Sequence, residues 1–156
     1  WPFLHEGLSD ESTTAKPLVW KLYTMASLGL KKYAEALRGA KAILELEENP
    51  YRKAEALYFK SQAHNGLKQF DEARLAASDA LNLRPAGALD IQLRMFAGDI
   101  DITAKKPEAA IRHYIIVEST FAKSTDDKRE ALAKVISTLK MIGTPKALEL
   151  LKDYQQ

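Results

Sequence analysis

The chain has 156 residues, 46% of them apolar, which is enough for a continuous core. Its 23 basic and 21 acidic side chains are interspersed and leave a formal charge of +2, not the clustered basic face that nucleic acid requires. Cysteine is absent, which excludes disulfides and thiolate metal sites without separating cytoplasm from periplasm.

No apolar run reaches the length of a membrane span, and no basic segment with a short apolar stretch marks a signal peptide. The start at Trp1 rather than Met is expected of an excised or processed piece.

Residues 1–14 lie outside the pattern of the rest: Trp1, Phe3, Leu4 and Leu8 are apolar, and a polar run Ser9–Thr14 comes after them. Two readings stay open, a frayed remnant or an apolar arm that packs on the first helix pair or on a neighbouring molecule.

A first helix is expected from near Ala15, with Pro17 in its first turn. Trp20, Tyr23, Ser27 and Leu30 form one ridge, and Leu18, Leu22 and Met25 a second. Two apolar ridges predict a helix covered on two sides, closed by Gly29 and Lys31-Lys32. A return helix from about Tyr33 to Glu47 turns Ala36, Leu37, Ala40, Ile43 and Leu44 inward, and Asn49-Pro50 is expected to stop it.

The next pair carries Ala56, Phe59, Ala63 and Leu67 at helical spacing, with Gly66 at the helix end. Phe70 begins its second helix, where Ala73, Ala76, Ala77 and Ala80 let two helices approach closely. Leu81 and Leu83 fill the seam and Pro85 ends the pair.

In the third pair, Leu89, Leu93, Phe96, Ala97 and Ile100 define one helix. Pro107 starts the other, with Ala110, Ile111, Tyr114, Val117 and Phe121 inward. A fourth pair opens at a cap from Ser124, Thr125 or Asp126 and carries Ala131, Leu132, Val135, Ile136, Leu139 and Met141. Gly143-Thr144-Pro145 supplies a C-terminal glycine, an N-cap and a first-turn proline before a last helix with Ala147, Leu148, Leu150 and Leu151.

Ala36, Ala73, Ala110 and Ala147 stand 37 positions apart, each near the start of the second helix of its pair. A fixed period of that size points to stacked helical units, none of which buries its apolar face alone. The expected fold is all-α, with about four antiparallel helix pairs.

With Trp20 and Leu57 early in the first helix, Ser61 and Ala63 or Gly98 and Ile100 midway, and the repeated alanine, the chain resembles the tetratricopeptide repeat family. Pro85 meets its closing proline, and Ile43, Ala80 and Val117 its later small position. The resemblance implies a right-handed α-solenoid over residues 15–156, in units of about 15–50, 51–87, 88–124 and 125–156. The period is 37 here and 34 in that family, and Arg94 stands at a bulky position. Longer turns between pairs, of low entropic cost, resemble divergent repeats of bacterial envelope and assembly proteins.

The resemblance also implies a concave groove lined by first helices. Its peptide-binding residues would be Lys21, Met25, Tyr58, Gln62, Asn65, Gln92, Met95 and Asp99, flanked by Leu18, Leu28, Glu55, Ile102, Arg129, Leu132 and Ile136. Alternatively, Leu22, Leu28 and Ile136 seal neighbouring helices. Tyr, Gln and Asn favour a usable groove, since idle solvated faces fill with Lys and Glu. A carboxylate clamp for chaperone tails is disfavoured: only Lys21 matches, and Met25, Phe59, Gln92 and Phe96 stand at the remaining positions.

Catalysis finds little support. His5, His64 and His113 are far apart, so no metal or other cofactor is expected. His64 is expected to be packed, and Asp99 and Asp101, two apart, face different sides of their helix. There is no Gly-rich phosphate loop and no nucleophile motif.

The expected function is a non-enzymatic adaptor or scaffold that binds a protein or peptide partner, with no nucleic acid and no direct membrane insertion. Two alternatives stand beside it. One is a scaffold that forms homo-oligomers through terminal helices, Leu148, Leu150, Leu151 and Tyr154 leading. The other is the targeting segment of a larger enzyme.

Overall fold

The computed structural model describes residues 16–121 and 125–156, with the backbone alone at 120, 121 and 125. The expectations for residues 1–14, Ala15, the Phe121 side chain and the Ser124 and Thr125 caps lie outside the described residues. Among the described residues there are eight α-helices and no strand. They are α1 (Lys16–Gly29), α2 (Tyr33–Leu46), α3 (Pro50–Gly66), α4 (Phe70–Asn82), α5 (Ala88–Thr103), α6 (Pro107–Ile116), α7 (Thr125–Ile142) and α8 (Pro145–Gln155). None is long and apolar enough to cross a membrane.

The helices fall into two compact units, one ending at Pro85 and the other beginning at Ala86. In the first, each helix packs on the next and α1 also reaches α3. In the second, α5 packs on α6, α6 on α7 and α7 on α8. A π-helical turn, Val117–Phe121, continues from α6 and touches α5, α6 and α7. There the Ser119 hydroxyl donates back to the Ile115 carbonyl at 2.7 Å.

The 37-residue spacing reappears in three turns. Lys31, Lys68 and Lys105 each adopt positive φ, near 60°. In the same turns Lys32 N donates to Ser27 O, Gln69 N to His64 O and Lys106 N to Asp101 O, at 2.8, 2.9 and 2.8 Å. This six-to-one bond occupies a carbonyl that the helix end leaves open, and it turns the chain back sharply. The left-handed position therefore belongs to lysine, two residues beyond Gly29 and Gly66, which remain helical.

The fourth turn has the expected chemistry. Gly143 takes the left-handed conformation, the Thr144 hydroxyl accepts from Ala147 N at 3.2 Å, and Pro145 opens α8. Asn49-Pro50 acts differently from the expectation. It starts α3 rather than stopping α2: Asn49 Oδ1 accepts from Tyr51 N and Arg52 N, and Pro50 sits where no N–H is needed. Glu47 ends α2, and its carboxylate accepts from Glu48 N and Asn49 N.

Small residues let the helices approach. The four alanines of the 37-residue series are all buried. Ala40, Ala54, Ala56, Ala63, Ala76, Ala77 and Ala80 complete the interior of the first unit, with Tyr23 and Ile43. The second unit buries larger groups, among them Leu93, Ile100, Tyr114, Val117, Val135 and Leu139.

Three glycines receive a side chain from a neighbouring helix. A Cβ at Gly39 would lie 2.1 Å from the Thr24 hydroxyl, one at Gly66 2.3 Å from the Tyr33 ring, and one at Gly98 2.5 Å from the Tyr114 ring.

This close approach corrects the two-sided reading of α1. Its buried stripe is Tyr23, Thr24 and Ser27, and the Thr24 hydroxyl is satisfied by the Trp20 carbonyl at 2.7 Å. Leu18, Leu22 and Met25 are 60%, 52% and 49% exposed, and Leu30 is exposed as well. Leu67, Leu83 and Met141, expected inside, are also exposed, as are Leu148 and Leu150 on α8. Phe59, Phe96, Leu37, Leu44, Leu81, Ile111, Leu132 and Ile136 are half-buried.

Gly98→Ala is expected to destabilise the second unit by about 1–3 kcal/mol, because the new methyl group displaces the Tyr114 ring. Lys68→Gly is expected to stabilise by roughly 0.5–1 kcal/mol, since relief of a left-handed lysine outweighs added chain entropy. Chemical denaturation of both variants checks the two signs.

Candidate functional site

In the first unit the expected groove residues divide between α1 and α3. Lys21 Nζ on α1 reaches Glu55 Oε1 on α3 at 2.9 Å, so one ion pair ties these helices together. Met25 stands one turn beyond Lys21 and is exposed. On α3, Tyr58, Gln62 and Asn65 continue from Glu55 at spacings of three and four, which puts them on one face. All three are half-buried.

A cleft of about 640 Å³ opens beside the Lys21–Glu55 pair. Leu18, Ile43, Leu46 and Phe59 supply its apolar lining, and Glu47 and Arg52, 3.9 Å apart, contribute to its rim. Lys21 lines the cleft, whereas Met25, Tyr58, Gln62 and Asn65 do not.

In the second unit Gln92, Met95 and Asp99 succeed one another on α5. Gln92 is exposed, and Met95 is half-buried against the cluster of Ala110, Tyr114, Val135 and Leu139. Met95 therefore contributes to packing as well as to surface. Asp99 sits in a network that spans three helices. Its Oδ1 accepts from the Tyr114 hydroxyl of α6 at 2.6 Å and from Lys134 Nζ of α7 at 2.5 Å. The Lys134 ammonium also stands 5.5 Å from the centre of the Tyr114 ring and 3.9 Å from Glu130.

The sequence explains this arrangement locally. Gly98 leaves the α5 backbone bare where the Tyr114 ring lies, so the ring passes close to it and the hydroxyl reaches the next residue. Burial pushes the Tyr114 phenol well above the usual range, and the hydrogen bond to Asp99 and the charges of Asp99 and Asp101 add to the shift. The phenol is a donor at every physiological pH.

A cavity of about 310 Å³ adjoins the network, lined by the apolar Ile102, Tyr114 ring and Met141 and by Asp99, Lys134 and Ser137. Thr138, also in the lining, is buried and donates to the Lys134 carbonyl at 2.6 Å.

Reading residues one at a time identifies Asp99 but treats Tyr114 as core and passes over Lys134. A signal is present: Asp99 and Lys134 are opposite charges about one repeat apart, as Lys21 and Glu55 are in the first unit.

The other polar residues have local roles. His64 is buried, with Nδ1 2.7 Å from Gln69 Oε1. Asp101 is buried and lies 3.7 Å from His113 Nε2, while Asp99 is exposed and meets Tyr114. Among the described residues, no group of three or more His, Asp or Glu side chains is arranged to hold a metal ion. His5 is outside the described residues.

No protein-family model matches the chain, and neither a curated protein nor a solved structure matches it. The geometry of the site alone therefore carries its interpretation.

Tyr114→Phe keeps the ring against Gly98 and removes the donor to Asp99. The expected cost near neutral pH is about 1 kcal/mol, below the ~1.5–3 kcal/mol of a bond to a buried charged group because Asp99 remains half in water. The raised phenol also sets a pH dependence. The unfolded chain loses the Tyr114 proton near 10.0 and the folded chain later, so this contribution is complete below that pH and is lost as the pH rises above it. Denaturation across alkaline pH should show a shallower fall for Tyr114→Phe than for the parent chain.

Proposed function

We propose that the chain is a tetratricopeptide-like α-solenoid that serves as a protein-interaction module, binding a peptide or helical segment of a partner on the faces of its first helices. The observation that carries this reading is the face of α3. Tyr58, Gln62 and Asn65 stand in line there, half-buried, with the Lys21–Glu55 pair at one end. A tyrosine with two carboxamides offers stacking area and both donors and acceptors, which suits a peptide backbone. The 37-residue series of buried alanines and repeated turn bonds supports the solenoid part of the proposal.

A second reading is favoured by a specific feature. Leu148 and Leu150 are exposed on α8 and Met141 near the end of α7, so an apolar surface is available for self-association. Light scattering over a dilution series separates this scaffold from a monomeric adaptor.

The direct test is retention of a partner from source-cell lysate by the parent chain and by Tyr58→Ala/Gln62→Ala. Both proteins are first shown by circular dichroism to be folded. The proposal expects a protein held by the parent and released by the double variant. Equal retention by both would move the site off α3, and collapse of the helical signal would make the pair structural.

A further inference from the structure

We propose that the cavity beside Asp99 in the second unit is a subsite for a basic side chain of the partner, with arginine the best fit. This rests on the peptide-recognition reading and adds to it the chemistry of one recognised residue.

The carboxylate is fixed in place. Two donors from two other helices hold Oδ1, while no described residue donates to Oδ2 and the side chain is 48% exposed. An acceptor whose orientation is already set loses little freedom when a ligand arrives. Ordinary surface aspartates lack this property.

The local charges ask for a cation. They run Asp99, Lys134, Glu130, that is negative, positive, negative, with Lys134 within 4.0 Å of each acid. One further positive group on Asp99 Oδ2 makes the series alternate throughout. Among the residues that line the cavity, an anion would meet the Asp99 carboxylate, and the one ammonium, Lys134, is already engaged by it. The walls then select the kind of cation. Ile102 and Met141 offer apolar area to an aliphatic stem, and 56% of Met141 is open to receive it. Arginine combines such a stem with a planar, weakly hydrated head that desolvates more readily than an ammonium.

The probe is Nα-acetyl-arginine N-methylamide, titrated into the isotopically labelled whole chain while backbone amide shifts are recorded. The inference expects saturable shifts at Asp99, Ile102, Lys134, Ser137 and Met141, weaker ones with the lysine analogue, and none with the glutamate analogue. Asp99→Asn, which keeps an acceptor for Tyr114, should weaken binding by roughly tenfold. Met141→Lys places a competing cation among the lining residues, removes no hydrogen bond of the network and should abolish the shifts. That second variant keeps the test decisive if Asp99→Asn perturbs folding.

Shifts confined to other residues, or equal binding by arginine and glutamate analogues, would overturn the subsite. If those results came with partner retention that still depends on Tyr58 and Gln62, the subsite alone would fall. Arginine binding intact while retention ignores Tyr58 and Gln62 would instead count against the peptide-recognition reading.

Discussion

Close helix contact through small residues is the constraint on which both units depend. Ala36, Ala73, Ala110 and Ala147 are buried where neighbouring helices meet, and Gly39, Gly66 and Gly98 admit a side chain directly onto the backbone. At such a contact even one methyl group is felt, because interiors are packed without spare volume. The first unit carries this furthest, with an interior made mainly of alanine. Beyond Tyr23 and Ile43, few of its larger apolar side chains are fully buried. Leu18, Leu22, Met25, Leu30, Leu46 and Leu75 consequently remain on the surface, where they form recognisable apolar area. The packing that holds the helices together thus also leaves the apolar surface that the proposed partner would meet.

Ion pairs between first helices add orientation more than stability. Lys21–Glu55 joins α1 to α3, and Asp99–Lys134 joins α5 to α7. Exposed pairs of this kind contribute little free energy, typically below ~1 kcal/mol. Each holds two helices in register beside the polar groups of the face we propose for recognition. The second pair does more because Tyr114 shares its carboxylate. A buried phenol permanently able to donate gives Asp99 a fixed direction that a lone surface ion pair lacks.

The helix content and the spacing of the pairs are legible in the sequence because they obey strong local rules. A buried small residue must recur wherever helices cross closely, and so the alanine series survives in a single sequence. Proline at a first helical turn identifies Pro107 and Pro145 for a similar reason. Other features are hidden. Glycine is the expected residue at a helix end, yet Lys31, Lys68 and Lys105 carry the left-handed turn, which the six-to-one backbone bonds hold in place. The burial of Thr24 is also hidden, since its hydroxyl is satisfied by its own helix and leaves no trace in apolar periodicity. The leucine ridge of α1 has the spacing of a buried face, and only the packing of Tyr23, Thr24 and Ser27 reveals which side turns inward. Of the site, Asp99 is visible as a position, but its partnership with Tyr114 and Lys134 needs three helices in place.

The central claim is that first helices carry recognition. Hydrogen exchange, measured on the chain alone and bound to the protein it retains, tests this most directly. The account predicts added protection in α1, α3, α5 and α7, strongest from Glu55 to Asn65 and from Asp99 to Ile102. Protection confined to α2, α4 and α6, or to the terminal helix α8, would contradict it.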